Sequence, residues 1–458
     1  MLVQWQLPEL FESMLGVFAR PARQLQQLRA FQTRAEHKAY LDAVRRSALA
    51  RPDDARRADE PAKVAPFLHS VDPMASHLQL WTAPRGAAGT AAASMIEAVY
   101  PLSTDEPLRH SVRDVGKQGY SPFRLGKFFE AVDALTADVA YAHTDGENQG
   151  LALVTASHSH SRKLERTAIA RDLSLRCYVT RTGSASLEVR TDAVQVDEAG
   201  VEVLVNSCAT TMVAVDGATG KPAKGAVPPL GAPDAADASN FELRSELAAT
   251  HAAIRRRRAG GSMLLRDGRS HPPRPEEMEA VHELEREALR AREAGDRPVK
   301  SIGANATFRS SFVVFPEQRN VHGKLFGGFV MEQAFTLASY AARFFAGGAP
   351  VVPLGIDDAT FNSPVSIGDC VTFTARVVHR TAETCRVNVS VEIRDPAAAH
   401  LAPKKSNRAV FVFAARSRTL LVPESYSEVL MHVDAARFSA SEGPDDAEVV
   451  ALLGDALS

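Results

Sequence analysis

Asn320-Val321-His322-Gly323-Lys324-Leu325-Phe326-Gly327-Gly328 leads straight into Phe329-Val330-Met331-Glu332-Gln333-Ala334-Phe335, and the apolar run continues to Phe345. The first stretch has the Asn and Gly content of a loop. The second predicts a helix that is apolar nearly all round, and such a helix is buried on most of its faces. The residues that follow supply something to bury it. Cys385, Val387, Val389, Val391 and Ile393 alternate with Arg386, Asn388, Ser390, Glu392 and Arg394, the period of a strand with one buried and one wet face. Val371, Phe373, Ala375 and Val377 alternate likewise after the turn residues Gly368-Asp369, and 408–415 is a third run.

The same order of parts occurs earlier in the chain. Ser121-Pro122-Phe123-Arg124-Leu125-Gly126 leads into a helix-type segment, Lys127-Phe128-Phe129-Glu130-Ala131-Val132-Asp133-Ala134-Leu135. Strand signals follow at Leu187, Val189 and Thr191, at 201–205 and at 210–215. A unit of one helix and several strands that occurs twice is an internal repeat. The expected class is α+β, with each copy a buried helix wrapped by an antiparallel sheet. The copies pair to hide the sheet edge.

At 458 residues the chain has room for two or three domains. Its 45% hydrophobic and 24% charged residues suit real cores, and a net charge of −2 gives no support to a nucleic-acid partner. The expected division is an N-terminal extension at 1–95, poor in core-forming residues, then a first domain at 96–216. A Pro/Ala-rich linker with helix-type segments fills 217–300, a second domain 301–423 and a tail 424–458. No stretch approaches the roughly 20 apolar residues of a membrane span. Cys177, Cys208, Cys370 and Cys385 form no CxxC pair and read as reduced, strand-buried thiols. From 18 to 57 the chain is rich in Arg and poor in acids, as a mitochondrial transit segment is, although Glu9 and Glu12 fit that badly. The expected location is therefore the mitochondrial matrix, with the cytoplasm and an exposed N-terminal helix as the alternative.

The loop and helix of the second region, followed by Phe361-Asn362-Ser363-Pro364-Val365-Ser366-Ile367-Gly368-Asp369, resemble hotdog-fold acyl-CoA thioesterases. The first region resembles the N-terminal half of the acyl-coenzyme A thioesterase 9 family over 123–135, with Tyr141-Ala142-His143 after it, and over 210–215 with Gly220-Lys221-Pro222. The likeness covers about 96–438. It implies two tandem hotdog domains joined as a pseudo-dimer, an acyl-CoA substrate, no cofactor, and self-association, with a trimer of double-hotdog chains as the assembly. It further implies that the helix carboxylate and the loop Asn of one site come from opposite domains.

Thioester hydrolysis needs a base or nucleophile, a donor for the developing oxyanion and a positioned water. A helix N-terminus at glycine offers free N–H groups and the positive end of the helix dipole, and Gly126, Gly327 and Gly328 stand at such starts. Asp133 lies about two turns beyond Gly126 on the same face. The same distance from Gly328 reaches Phe335, which cannot act as a base. Counting back into the loops gives Asn320 in the second copy and Gln118 in the first. One composite site, Asp133 with Asn320, is thus expected intact, and its twin degenerate. Asp133 activates water or attacks the carbonyl itself. Asn320 orients the water or the carbonyl, and His322 is a candidate for substrate binding.

Rival readings of these residues are plainer. Asp133 also fits a solvated helix carboxylate, and Asn320 a loop or cap residue. Glu130 and Glu332 read as first-turn acids that complement the helix dipole. His143 reads as a core histidine. His158 and His160 share a strand face, but no third ligand accompanies them and no metal is expected. Arg255, Arg256, Arg257 and Arg258 read as a solvated face before CoA-phosphate ligands, a role also open to Arg181, Arg380, Lys404 and Lys405. No GxSxG elbow, phosphate loop or GxGxxG fingerprint is present. Two other functions fit the same fold: a dehydratase or hydratase, and a non-catalytic acyl-CoA-binding protein.

Overall fold

The helix expected from the buried loop-to-helix stretch is Gly327–Ala346, called the rear helix here, and its counterpart, the front helix, is Leu125–Thr144. The computed structural model describes residues 34–453 apart from 52–54, 83–89, 92, 114–122, 145–149, 164–166, 232–237, 262–271, 321, 399 and 443–445. The rear helix stops where Gly347 turns left-handed at φ 64°, a conformation that glycine adopts without strain.

Twelve strands form one continuous sheet around both helices. Its first half holds β1 (Arg56–Arg57), β2 (Gln79–Thr82), β3 (Ile96–Tyr100), β4 (Leu151–Lys163), β5 (Leu173–Thr182), β6 (Ser186–Val196) and β7 (Glu202–Asp216). After the short β8 (Val299–Ser301), the second half holds β9 (Thr307–Val313), β10 (Val351–Phe361), β11 (Cys370–Arg380), β12 (Thr384–Arg394) and β13 (Lys404–Ala415). The order is β1-β2-β3-β5-β6-β7-β4-β10-β13-β12-β11-β9. Read outward from the β4–β10 seam, β4-β7-β6-β5-β3 in the first half matches β10-β13-β12-β11-β9 in the second, and the first half adds β2 and β1 at its outer edge. The two copies are therefore hotdog domains joined edge to edge, and β8 pairs separately with β14 (Leu420–Val422).

Strict alternation on β12 predicted a wet outer face. In the structure Arg386 is 1% exposed and forms an ion pair with Asp357. The difference comes from helices laid over the outside of the sheet. Val449 of the helix Asp446–Leu453 packs on Val352, Leu354, Val412 and Ala414. On the other half, Tyr40 and Val44 of Arg34–Arg46 join Leu247 of the linker helix Ala238–Gly261 above Leu204 of β7. Burial of both faces also explains the thiols: all four cysteines are free, and Cys177, Cys208 and Cys385 are buried in strands.

Part of the stretch before Ile96 joins the first core, although its composition reads as poorly core-forming. Leu68, Leu78 and Leu80 are buried there with Leu135 of the front helix. The helix Pro66–Val71 is tied down because Asp138 accepts from its Phe67 and Leu68 N–H groups at 2.9 and 3.1 Å. Those are first-turn donors that the helix itself cannot satisfy.

The two long helices cross at their glycine ends. A Cβ on Gly126 would meet Glu332 Cγ at 2.9 Å, and one on Gly328 would meet Glu130 Cα at 2.9 Å. Each glycine thus admits the same position of the opposite helix. Glu130 and Glu332 were expected in the first helical turn as dipole partners. They lie in the second turn, are buried, and meet cations at this crossing. Arg124 Nη2 donates to Glu332 Oε1 at 2.7 Å, and Lys127 Nζ pairs with Glu130. Burial pushes the Glu130 carboxyl above its ordinary pKa against the pull of Lys127.

Gly328→Ala places a methyl against main-chain atoms that cannot rotate away. It is expected to lower stability by about 1–3 kcal/mol, the usual cost of overpacking. A thermal midpoint equal to that of the parent chain contradicts this account of the crossing.

Candidate active site

β4 pairs with β10 only from residue 157 to residue 162. Its first half, 151–156, continues past the seam beside the front helix. There Leu153 N donates to Tyr141 Oη of that helix at 3.0 Å. The strands part at this end, and a cavity of about 1030 Å³, open to solvent, lies between β4, the front helix and the loop that enters the rear helix.

Asp133, Asn320, His322 and Gly327 all stand on the wall of this cavity. Asp133 comes from the first domain and the other three from the second. The carboxylate is only 3% exposed. Its Oδ1 accepts from Thr155 Oγ1 at 2.8 Å and lies 3.2 Å from His158 Nε2. Its Oδ2 points the other way, 2.9 Å from where a Cβ on Gly327 would sit. Glycine is required there because the carboxylate occupies the space of a side chain. The N–H groups of the first turn of the rear helix have no partner within the helix, so the acid faces their positive end.

Asn320 does two things. Its Oδ1 accepts from His322 N at 2.9 Å and Lys324 N at 3.0 Å, which staples the loop. That leaves Nδ2 as the group to offer to the cavity. The loop reading and the functional reading of this residue are compatible. His322 Nε2 lies 3.0 Å from Tyr141 Oη, and burial holds this imidazole below its ordinary pKa, so it is neutral near pH 7.

Gly126 and Gly328 are elsewhere. Gly126 lies against Glu332 and Phe335, and Gly328 against Phe326 and the Glu130 backbone. Both serve the helix crossing and neither is on the cavity wall. Gln118 falls outside the described residues, as does the side chain of His160. His158 faces Asp133, and no group of three His, Cys, Asp or Glu able to hold a metal occurs among the described residues. His143 Nε2 bonds the Pro228 carbonyl at 3.2 Å, and burial lowers its pKa. Among the proposed phosphate ligands, Arg380 Nη1 donates to the Ser417 and Thr419 carbonyls at 2.9 Å each, and the side chains of 255–258 are not described. Lys324, which its loop position did not single out, is on the cavity wall and bonds Ser366 Oγ at 3.1 Å. Thr155 and the role of His158 were also missed. The strand face of His158 and His160 was weighed only for metal, and nothing along the sequence ties it to the carboxylate of Asp133.

The ladders define the twin of this site. Thr155 pairs with Met212 just before a bulge, and past it Ser157 pairs with Thr211 and His158 with Thr210. In the second domain Pro353 pairs with Phe413 just before a bulge, and past it Gly355 pairs with Val412 and Ile356 with Phe411. Thr155, His158 and Thr210 therefore correspond to Pro353, Ile356 and Phe411, as Asp133 corresponds to Phe335. Phe335 packs on Phe411 and Phe413, with ring centroids 5.6 and 5.9 Å apart. A smaller cavity of about 480 Å³ remains at that end, bordered by Leu125, Pro353 and Asn206.

Residues 322–399 match the model of the thioesterase superfamily. The chain is 26% identical over 355 residues to mitochondrial acyl-coenzyme A thioesterase 10 of Mus musculus, covering 75% of this chain and 76% of that one. It is 27% identical over 366 residues to mitochondrial acyl-coenzyme A thioesterase 9 of Homo sapiens, covering 77% and 78%. Against the acyl-CoA thioester hydrolase YciA of Salmonella typhimurium it is 30% identical over 104 residues, 22% of this chain and 77% of the relative. With its two hotdog copies and this likeness, the chain belongs to the acyl-CoA thioesterases, and along three quarters of its length it is similar to the mitochondrial acyl-coenzyme A thioesterases 9 and 10.

Proposed function

We propose that this acyl-CoA thioesterase releases a fatty acid and CoA at one composite site per chain, with Asp133 as the acting carboxylate. The observation that carries the reading is the meeting of Asp133, from one domain, with Asn320 and the rear-helix N-terminus, from the other, on one cavity wall. With Oδ1 held by Thr155, Oδ2 is the oxygen free to work. It takes a proton from water as that water attacks the thioester carbon, or it attacks that carbon itself to give a mixed anhydride that water then opens. Asn320 Nδ2 holds the water or the carbonyl oxygen. The Gly327 N–H is the donor for the oxyanion, a role earlier shared with Gly126 and Gly328, because Gly327 alone of the three lines the cavity. CoA thiolate leaves and is protonated. On this reading 96–216 and 301–423 are the two halves of the catalytic unit, and Lys324 stands where a CoA phosphate can reach it.

The hydratase alternative calls for an imidazole facing the substrate with a carboxylate behind it. Here the order is reversed: the carboxylate is on the wall and its imidazole partner, His158, is behind. For the wider setting, the Arg-rich lead and the mitochondrial names of the relatives support import into the matrix, and the family resemblance supports a trimer of chains. The second point is read directly from the mass of the purified protein in solution.

Asp133→Asn is expected to lower turnover at least about a hundredfold with the fold intact, the usual loss for a general base. Thiol release from acyl-CoA measures it, and undiminished release refutes the role of Asp133. Gly327→Ala pushes a methyl into the carboxylate, and misplacement on this scale costs up to about a hundredfold. Turnover close to that of the parent chain sinks the assignment of Gly327.

A further inference from the structure

We propose that His158 is a positioning residue of the reaction: a buried imidazole behind Asp133 that holds the carboxylate turned toward the cavity. The inference rests on the reading of Asp133 as the acting group.

His158 is 1% exposed and is not on the cavity wall, so it does not touch substrate. Its Nδ1 bonds Thr210 Oγ1 of β7 at 2.7 Å, which fixes the ring. Its Nε2 is 3.2 Å from Asp133 Oδ1, yet has no aligned hydrogen-bond acceptor among the described residues. The titratable groups that face the ring are Asp133 of the front helix and Cys208 of β7. From β10 the facing group is the Phe361 ring, edge-on with centroids 5.8 Å apart.

A carboxylate 3% exposed has lost most of its hydration, and one hydroxyl from Thr155 replaces little of it. A cation beside it restores the balance. The histidine pays the reciprocal cost. Burial acts to strip its proton, but Asp133, with Cys208 second, outweighs that and pushes its pKa up to about 9. The ring is thus charged at neutral pH.

The twin site supplies an independent argument. Where the acid has become Phe335, the positions of His158 and Thr210 are Ile356 and Phe411. A histidine needed only by its own strand has no reason to vanish with a carboxylate on a helix. The three change as a set because two of them serve the third.

The test is the pH profile of kcat/KM for acyl-CoA hydrolysis by the full chain, with His158→Gln, Thr210→Val and Asp133→Asn alongside the parent. Glutamine keeps a donor and removes the charge. The pH profile is therefore expected to differ from that of the parent, with a limb displaced by about one unit or more. Turnover on that limb falls about tenfold for each such unit while KM is nearly unchanged. Thr210→Val keeps the ring but loosens it, and moves the limb the same way by less. A histidine that only stabilises the fold lowers the thermal midpoint without moving the limb. A folded His158→Gln chain with the limb and kcat of the parent overturns the proposal. If that variant does not fold, an unmoved limb in Thr210→Val overturns it instead. Asp133→Asn separates the two readings. Retained turnover there defeats the role of Asp133 itself, whereas lost turnover with an unmoved His158→Gln limb defeats only the role of His158.

Discussion

The close crossing of the two long helices is the constraint on which the remaining geometry depends. Gly126 and Gly328 allow each helix to lie almost backbone to backbone against the other. Only at that separation does Asp133, on the front helix, come within van der Waals reach of Gly327 at the start of the rear one. The site is thus a by-product of packing: the glycines that seat the core also bring an acid to a helix N-terminus. β4 and β10 pair only over their later halves, 157–162 with 355–360, and the two cavities lie beside the seam.

Two copies of one fold need not keep two copies of one chemistry. Asp133, His158 and Thr210 are buried and Thr155 half-buried, and this polar set carries a high desolvation cost that only mutual bonding offsets. Losing one member leaves the others unsatisfied, so the favourable routes are to keep the set or to exchange all of it. The second domain has exchanged it. Phe335, Pro353, Ile356 and Phe411 fill the same positions with apolar volume, and Phe129 of the opposite helix packs edge-on against Phe335 and tilted against Phe411.

The repeat, both helices and the split of acid and amide between copies were legible in the sequence. Long apolar periodicity and glycine-marked helix starts are local signals. So were Asp133 and Asn320, through equal spacing from those glycines. The partners of Asp133 were not. Thr155 and His158 lie on a strand that nothing in the sequence ties to the front helix, and His158 meets Thr210 only through a register set 52 residues away. The covered outer face of β12 was hidden for a related reason. Alternation reports one buried side, and the helix that covers the other side follows it in the chain by more than fifty residues. Leu68 and Leu80 reached the first core from a stretch with little apolar periodicity, where a single cap by Asp138 fixes the local helix.

The tandem arrangement has a consequence for how such a chain changes over time. In an assembly of identical hotdog subunits, every substitution appears on both sides of the seam at once. A bulky ring replacing the acid would then abolish both centres together. Here the seam joins unlike partners encoded separately, so a change on one side leaves its counterpart as it was. The aromatic plug around Phe335 is what that freedom looks like in side chains, and it braces from behind the helix whose leading glycine faces the acid.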